Sequence, residues 1–202
     1  MSTVDHLVVA ATTLAEGVRW VEERVGVPLE PGGRHDVFGT HNRLLSLGPD
    51  CYLEVIAVDP EAPEPSRPRW FELDTGDMRA RLAAGPALVH WVVRVPSLAG
   101  ETDVVELRRG SNEWAITVPA DGRMPLGGLA PSCILWRTPP PSTMLPDRAI
   151  RLLELRLSTT DPAQLARSVA DVRPPVRVVE GPPGLVAVLA TGRGPVVLGR
   201  LP

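Results

Sequence analysis

Val4 to Ala11 (VDHLVVAA) is almost continuously apolar and rich in β-branched residues, which is the pattern of a buried strand. The period then changes. Leu14, Val18, Val21 and Val25 recur at helical spacing, Thr13 with Glu16 three residues on forms a capping box, and Gly26 followed by Pro28 ends the run. After a Pro/Gly loop, Gly39 to Leu47 (GTHNRLLSL) and Tyr52 to Val58 (YLEVIAV) read as strands joined by the Gly48-Pro49-Asp50 turn. Residues 4–58 therefore predict a strand, a helix, then two or three strands.

The same order recurs. Ala87 to Val95 (ALVHWVVRV) resembles the first strand, and His90 lies 84 residues after His6. Ser97, Leu98, Val105, Glu106 and Gly110 follow Thr13, Leu14, Val21, Glu22 and Gly26 at that same offset of 84, which predicts a second helix and its stop. Cys133-Ile-Leu-Trp136 then stands 82 residues after Cys51-Tyr-Leu-Glu54. A weaker third copy closes the chain. It has a strand at Ile150 to Ser158, a helix from Thr160 or Asp161 through Val172, and strands at Val176 to Glu180, Leu185 to Ala190 and Val196 to Leu201. The Pro- and Glu-rich stretch from Asp59 to Pro68 reads as a linker, and Asp74 to Gly85 as a short extra helix. The expectation is one domain over residues 1–202, with modules at about 4–58, 87–138 and 150–201.

Composition narrows the chemistry. With 202 residues, 44% hydrophobic and 22% charged, the chain has the make-up of an ordinary globular domain. A net charge of −3 gives no footprint for nucleic acid or an anionic membrane, and no apolar run is long enough to span a bilayer. The N-terminus lacks the basic region of a signal peptide, so the expected location is cytoplasmic. All 21 basic residues are arginine, which excludes Schiff-base catalysis and a P-loop lysine. The 23 prolines and 18 glycines fall between apolar runs, as turns of a strand-rich fold. Cys51 and Cys133 make neither a disulfide framework nor a metal knuckle and read as packing residues.

A repeated strand–helix–three-strand module, with His in its first strand and Glu in its last, resembles the vicinal oxygen chelate superfamily. VDHLVV, GTHNRLL and YLEVIA are similar to strings of its glyoxalase-like domain proteins. The resemblance implies an α+β fold of βαβββ modules whose mixed sheet curls into a half-barrel around a cleft, with helices outside. It also implies a divalent metal (Zn, Ni, Mn or Fe) held by His and Glu and chelating two neighbouring substrate oxygens. Modules of this superfamily work in pairs, so a count of three leaves one copy structural or a homodimer completing the set.

His6 and His90 occupy the matching position of the first two copies, where the superfamily places ligands. Glu54 sits between Leu53 and Val55, and an unpaired carboxylate buried there would cost several kcal/mol; the alternative is a solvent-facing position. His6, Glu54 and His90 together would form a two-His-one-carboxylate metal site. Trp136 stands where a fourth ligand would be, and either leaves three ligands or floors an apolar pocket. Glu54 or His41 would move the proton; alternatively the His41 ring braces the loop from Gly32 to Gly39. His35, in GGRHD, reads as solvent-exposed. Arg43, Trp91 and Trp136 are candidates for the substrate pocket, against the plainer alternatives of solvated face and core. The function expected is a metal-dependent lyase or isomerase. The rivals are a metal-free binder of small, antibiotic-like molecules and an iron-dependent dioxygenase of the extradiol type.

Overall fold

A computed structural model describes residues 2–173 and 176–200. Leu201, assigned above to the last strand, lies outside the described residues. The first module is β1 (Ser2–Ala10), α1 (Leu14–Val25), β2 (Glu30–His35), β3 (Thr40–Ser46) and β4 (Tyr52–Val58). Thr13 caps α1, its hydroxyl accepting the Glu16 N–H, and Gly26 closes the helix in the left-handed conformation that glycine tolerates. The Pro/Gly loop is itself a strand, β2, with an irregular register between Pro31 and Arg34. After Asp59, a short 3-10 turn (Trp70–Glu72) and α2 (Gly76–Ala83) lead to the second module: β5 (Ala87–Arg94), β6 (Val104–Arg109), β7 (Asn112–Thr117) and β8 (Ser132–Trp136).

The helix that the 84-residue offset predicts after β5 does not form. Val104–Arg109 is a strand and pairs with Asn112–Thr117 across a Gly110-Ser111 turn. Two-residue alternation decides this: Leu107 is buried between exposed Glu106 and Arg108, so period 2 prevails over the matched letters. A different element covers the back of β5. The last segment folds as β9 (Arg151–Thr159), α3 (Pro162–Val169), β10 (Val172–Arg173), β11 (Arg177–Glu180), β12 (Gly184–Thr191) and β13 (Gly194–Arg200). It makes a second sheet ordered β11-β9-β12-β13, while β10 pairs with β1. Leu155, Leu157, Ala187, Leu189 and Leu198 of that sheet share one core with Leu88, Trp91 and Val93 of β5. Its pairing order differs from that of the first module, where β1 lies beside β4.

The main sheet runs β2-β3-β4-β1-β5-β8-β7-β6. It is mixed and nearly closed, with β1–β4 and β5–β8 parallel and β1–β5 antiparallel at its centre. One core lies behind it, under α1 and the second sheet; the other fills the barrel, where Val8, Ile56, Val92 and Ile116 meet Trp70 and Phe71. Trp70 and Phe71 come from the segment between the modules, so the barrel is partly filled by its own chain.

Candidate functional site

Alternation along β1, β3 and β4 turns one polar row into the barrel. Parallel pairing sets His6 beside Tyr52 and Val8 beside Glu54; antiparallel pairing sets Leu44 beside Glu54. His6, Asn42, Tyr52 and Glu54 thus share a pocket walled by Trp70, Phe71, Trp114 and Trp136, with His35 and Arg109 at its edge. The free space between these walls is about 20 Å³, room for about one water.

His6 Nδ1 lies 2.7 Å from Asp5 Oδ1, and the His6 ring stacks on Tyr52 at 4.7 Å. A carboxylate at Nδ1 fixes the proton there and leaves Nε2 bare, 3.9 Å from Glu54 Oε2. Asp5 is fully buried. Its other oxygen accepts the Trp136 indole N–H at 3.0 Å and lies 3.3 Å from Arg94 Nε. Glu54 Oε1 accepts the Asn42 amide N–H at 2.5 Å. The Asn42 oxygen accepts from Gly33 N–H at 2.8 Å and from Arg109 at 3.2 Å, which assigns the amide's orientation. Arg109 also donates to His35 Nε2 at 3.0 Å, so His35 carries its proton on Nδ1, 3.1 Å from the Thr40 hydroxyl oxygen. That oxygen also accepts the Trp70 indole N–H.

The structure brings His6 and Glu54 together and adds Trp136 as a wall and as Asp5's hydrogen-bond donor. His90 is on the same strand pair but is held apart. Its Nε2 accepts Ser132 N–H at 3.2 Å and lies 3.0 Å from the Ser132 hydroxyl. Phe71, whose ring is 5.4 Å from that of His90, lines the pocket, whereas His90 does not. His41 and Arg43 point away, because Thr40, Asn42 and Leu44 take the inward positions of β3. His41 lies 4.0 Å from Asp59 on the outside. Trp91 faces the rear core and donates to the Leu129 carbonyl at 3.0 Å.

His35 is not solvent-exposed as its polar loop suggests; it is 6% exposed, because β2 folds that loop onto β3. Asp5 carries the same signal as Glu54, a carboxylate inside an apolar strand. Simple alternation hides it, since the register with β5 shifts between Val4 and His6. Arg109 had no local signal: it meets His35 and Asn42 only because the barrel almost closes.

Burial, then the nearby Arg109 charge, holds the His35 pKa well below 6.5. Burial lowers that of His90 to about 3, and pushes the Cys133 thiol up to about 11. Both histidines are therefore neutral in the folded chain, while the unfolded chain protonates them below about pH 6.5. The folded values are depressed, so their contribution is complete above pH 6.5 and is lost progressively below it, for His90 down to about pH 3. Denaturant midpoints measured between pH 7 and pH 5 should show stability falling by about 1.4 kcal/mol per pH unit for each histidine below pH 6.5. A flat profile would mean that both rings reach solvent.

Comparison with known proteins bears on the fold. A family model described as a glyoxalase-like domain matches residues 4–172. A hypothetical protein from Staphylococcus aureus is similar at 13% identity and a TM-score of 0.57, over 98% of this chain and 85% of that one. Methylmalonyl-CoA epimerase from Mycobacterium tuberculosis is similar at 19% identity and a TM-score of 0.42, over 68% of this chain and 89% of that one. No curated protein matches the chain. Among the described residues no helix is long and apolar enough to cross a membrane. With its inward His6 and Glu54 row, its nearly closed mixed sheet and a family model spanning most of its length, the chain belongs to the glyoxalase-like domain family of the vicinal oxygen chelate superfamily.

Proposed function

We propose that the chain is an isomerase or lyase that moves a proton next to a carbonyl of a small molecule, with His6 as the base. The observation that carries this is the Asp5–His6 pair. A buried carboxylate 2.7 Å from Nδ1 orients the ring, and the bare Nε2 faces the pocket beside Glu54. Glu54, held by Asn42, is placed to exchange a proton with the same substrate atom. Arg109 supplies the pocket's positive charge.

A divalent ion held by His6, Glu54 and His90 is what the superfamily resemblance implies, and the donor set does not fit one in this arrangement. The His90 Nε2 lone pair is taken by Ser132 N–H, that of His35 by Arg109, and a guanidinium borders the pocket. Among the described residues no three His, Cys, Asp or Glu side chains are grouped as a metal would require. No step is therefore routed through a metal. We expect proton exchange to survive extensive chelation, with the metal content of the purified protein well below one per chain. One tightly held metal per chain, with activity lost on its removal, would mean that His90 leaves Ser132 and turns into the barrel.

The test of function is wash-out of carbonyl-adjacent protons in D2O, followed by proton NMR over a panel of small carbonyl compounds. A second reading, a metal-free binder, is favoured by the indole walls of Trp70, Trp114 and Trp136. It predicts saturable binding with no wash-out.

A further inference from the structure

We propose that the ligand of this pocket is a small monocarboxylate, admitted through the seam between β2 and β6 and seated on Arg109. The inference deepens the proton-transfer reading, since it concerns the same pocket, but it rests on separate observations. The strand order ends at β2 on one side and β6 on the other, so no backbone ladder closes the barrel there. Arg109, the last residue of β6, bridges that seam to His35 and Asn42. Gly33 makes the crossing possible: a Cβ there would lie 2.6 Å from Arg109 Cδ.

Arg109 is the one cationic side chain among the described residues lining the pocket, His35 being neutral. No carboxylate of the described residues lies within 4.0 Å of its guanidinium, whereas its neighbour Arg108 faces Glu113 at 3.5 Å. Its partners are two neutral acceptors, the His35 Nε2 lone pair and the Asn42 amide oxygen. A carboxylate would replace them with an ion pair in the bidentate geometry a guanidinium favours. Asn42 stands between Arg109 and Glu54, donating an amide N–H to the carboxylate and accepting from the guanidinium at its oxygen, so Glu54 does not occupy that role. Free space of about 20 Å³ holds one water, so the ligand enters as Arg109 turns from His35 and Asn42, and a planar carboxylate asks less room there than a phosphate.

The experiment is a titration of the intact chain with acetate, propionate and pyruvate, each against its uncharged amide, read by the fluorescence of the tryptophans that wall the pocket. A saturable change is expected with at least one acid and not with its amide. Arg109→Gln is expected to weaken binding about 10- to 100-fold, the loss of a hydrogen bond to a charged group; Arg109→Lys keeps part of it. If Arg109→Gln does not fold, Gly33→Ala serves instead: it retains every charge, and its methyl displaces the Arg109 side chain from the seam, which should weaken the acid. Equal binding of acid and amide, no binding of any acid, or full affinity in the folded Arg109→Gln protein would each overturn the proposal. Acid binding without proton wash-out removes the catalytic reading and keeps this one. Wash-out from neutral carbonyl compounds with no preference for acids does the reverse.

Discussion

Replacing His6 with alanine is expected to lower the rate of proton wash-out by about 10²- to 10⁴-fold, the usual contribution of a positioned general base. Carboxylate affinity should stay within a few-fold, because Arg109 and Asn42 are untouched. Asp5→Asn should lose a large part of the same rate without removing the imidazole. Asp5 uses one oxygen for His6 Nδ1 and the other for the Trp136 indole N–H, with Arg94 beside the second. Asparagine has a single oxygen. Turned toward Trp136, it presents its NH₂ to Nδ1, so the ring must carry its proton on Nε2 and can no longer act as a base. Turned the other way, its NH₂ meets another N–H, an unfavourable contact in a fully buried position. Comparing the pH dependence of the two variants separates orientation from simple loss of packing. Asp5→Asn proteins that are folded and fully active would remove His6 as the base, and would leave Glu54 as the group to examine next.

The first module apart from β2, whose Pro/Gly stretch reads as a loop, was legible in the sequence because the local signals agreed. An apolar β-branched run, a capping box and a glycine stop gave β1 and α1, and a Gly-Pro-Asp turn between apolar runs gave β3 and β4. His6 and Glu54 were legible for a related reason: polar residues inside apolar strands need partners, and parallel pairing of β1 with β4 brings these two to the same pocket. The second module was misread where letters matched but period did not, since Val105, Glu106 and Gly110 align with α1 residues yet form a hairpin. The rest of the site depends on closure. His35 and Arg109 are 74 residues apart and belong to the two edge strands, so their contact follows from how far the sheet curls, which no local pattern encodes. His90 illustrates the converse. Its sequence position matches that of His6, but a backbone N–H of Ser132 and the ring of Phe71 take up its surroundings.

Trp91 provides the sharpest contrast between sequence position and structural role. It neighbours His90 and was a candidate for the substrate pocket, but it is fully buried on the opposite face of β5. There it lies in the core shared by the main sheet and the second one, with its indole N–H on the Leu129 carbonyl. Trp91→Ala is therefore expected to destabilise the fold by about 3–5 kcal/mol, the range for deleting a large aromatic from a core. A carbonyl deprived of its donor adds to the cavity left by the ring. Against a total stability on the order of 5–15 kcal/mol this is a large fraction, so the urea midpoint should fall sharply. Measured in dilute buffer on the folded fraction, carboxylate binding and proton wash-out should be unchanged, because no atom of Trp91 borders the pocket. The opposite result, weakened binding with an unchanged midpoint, would place Trp91 at the ligand and would mean that β5 presents its other face to the barrel. Since alternation carries His90 and Val92 with it, that outcome would also turn those two residues away from the barrel and expose the rear core that the second sheet now covers.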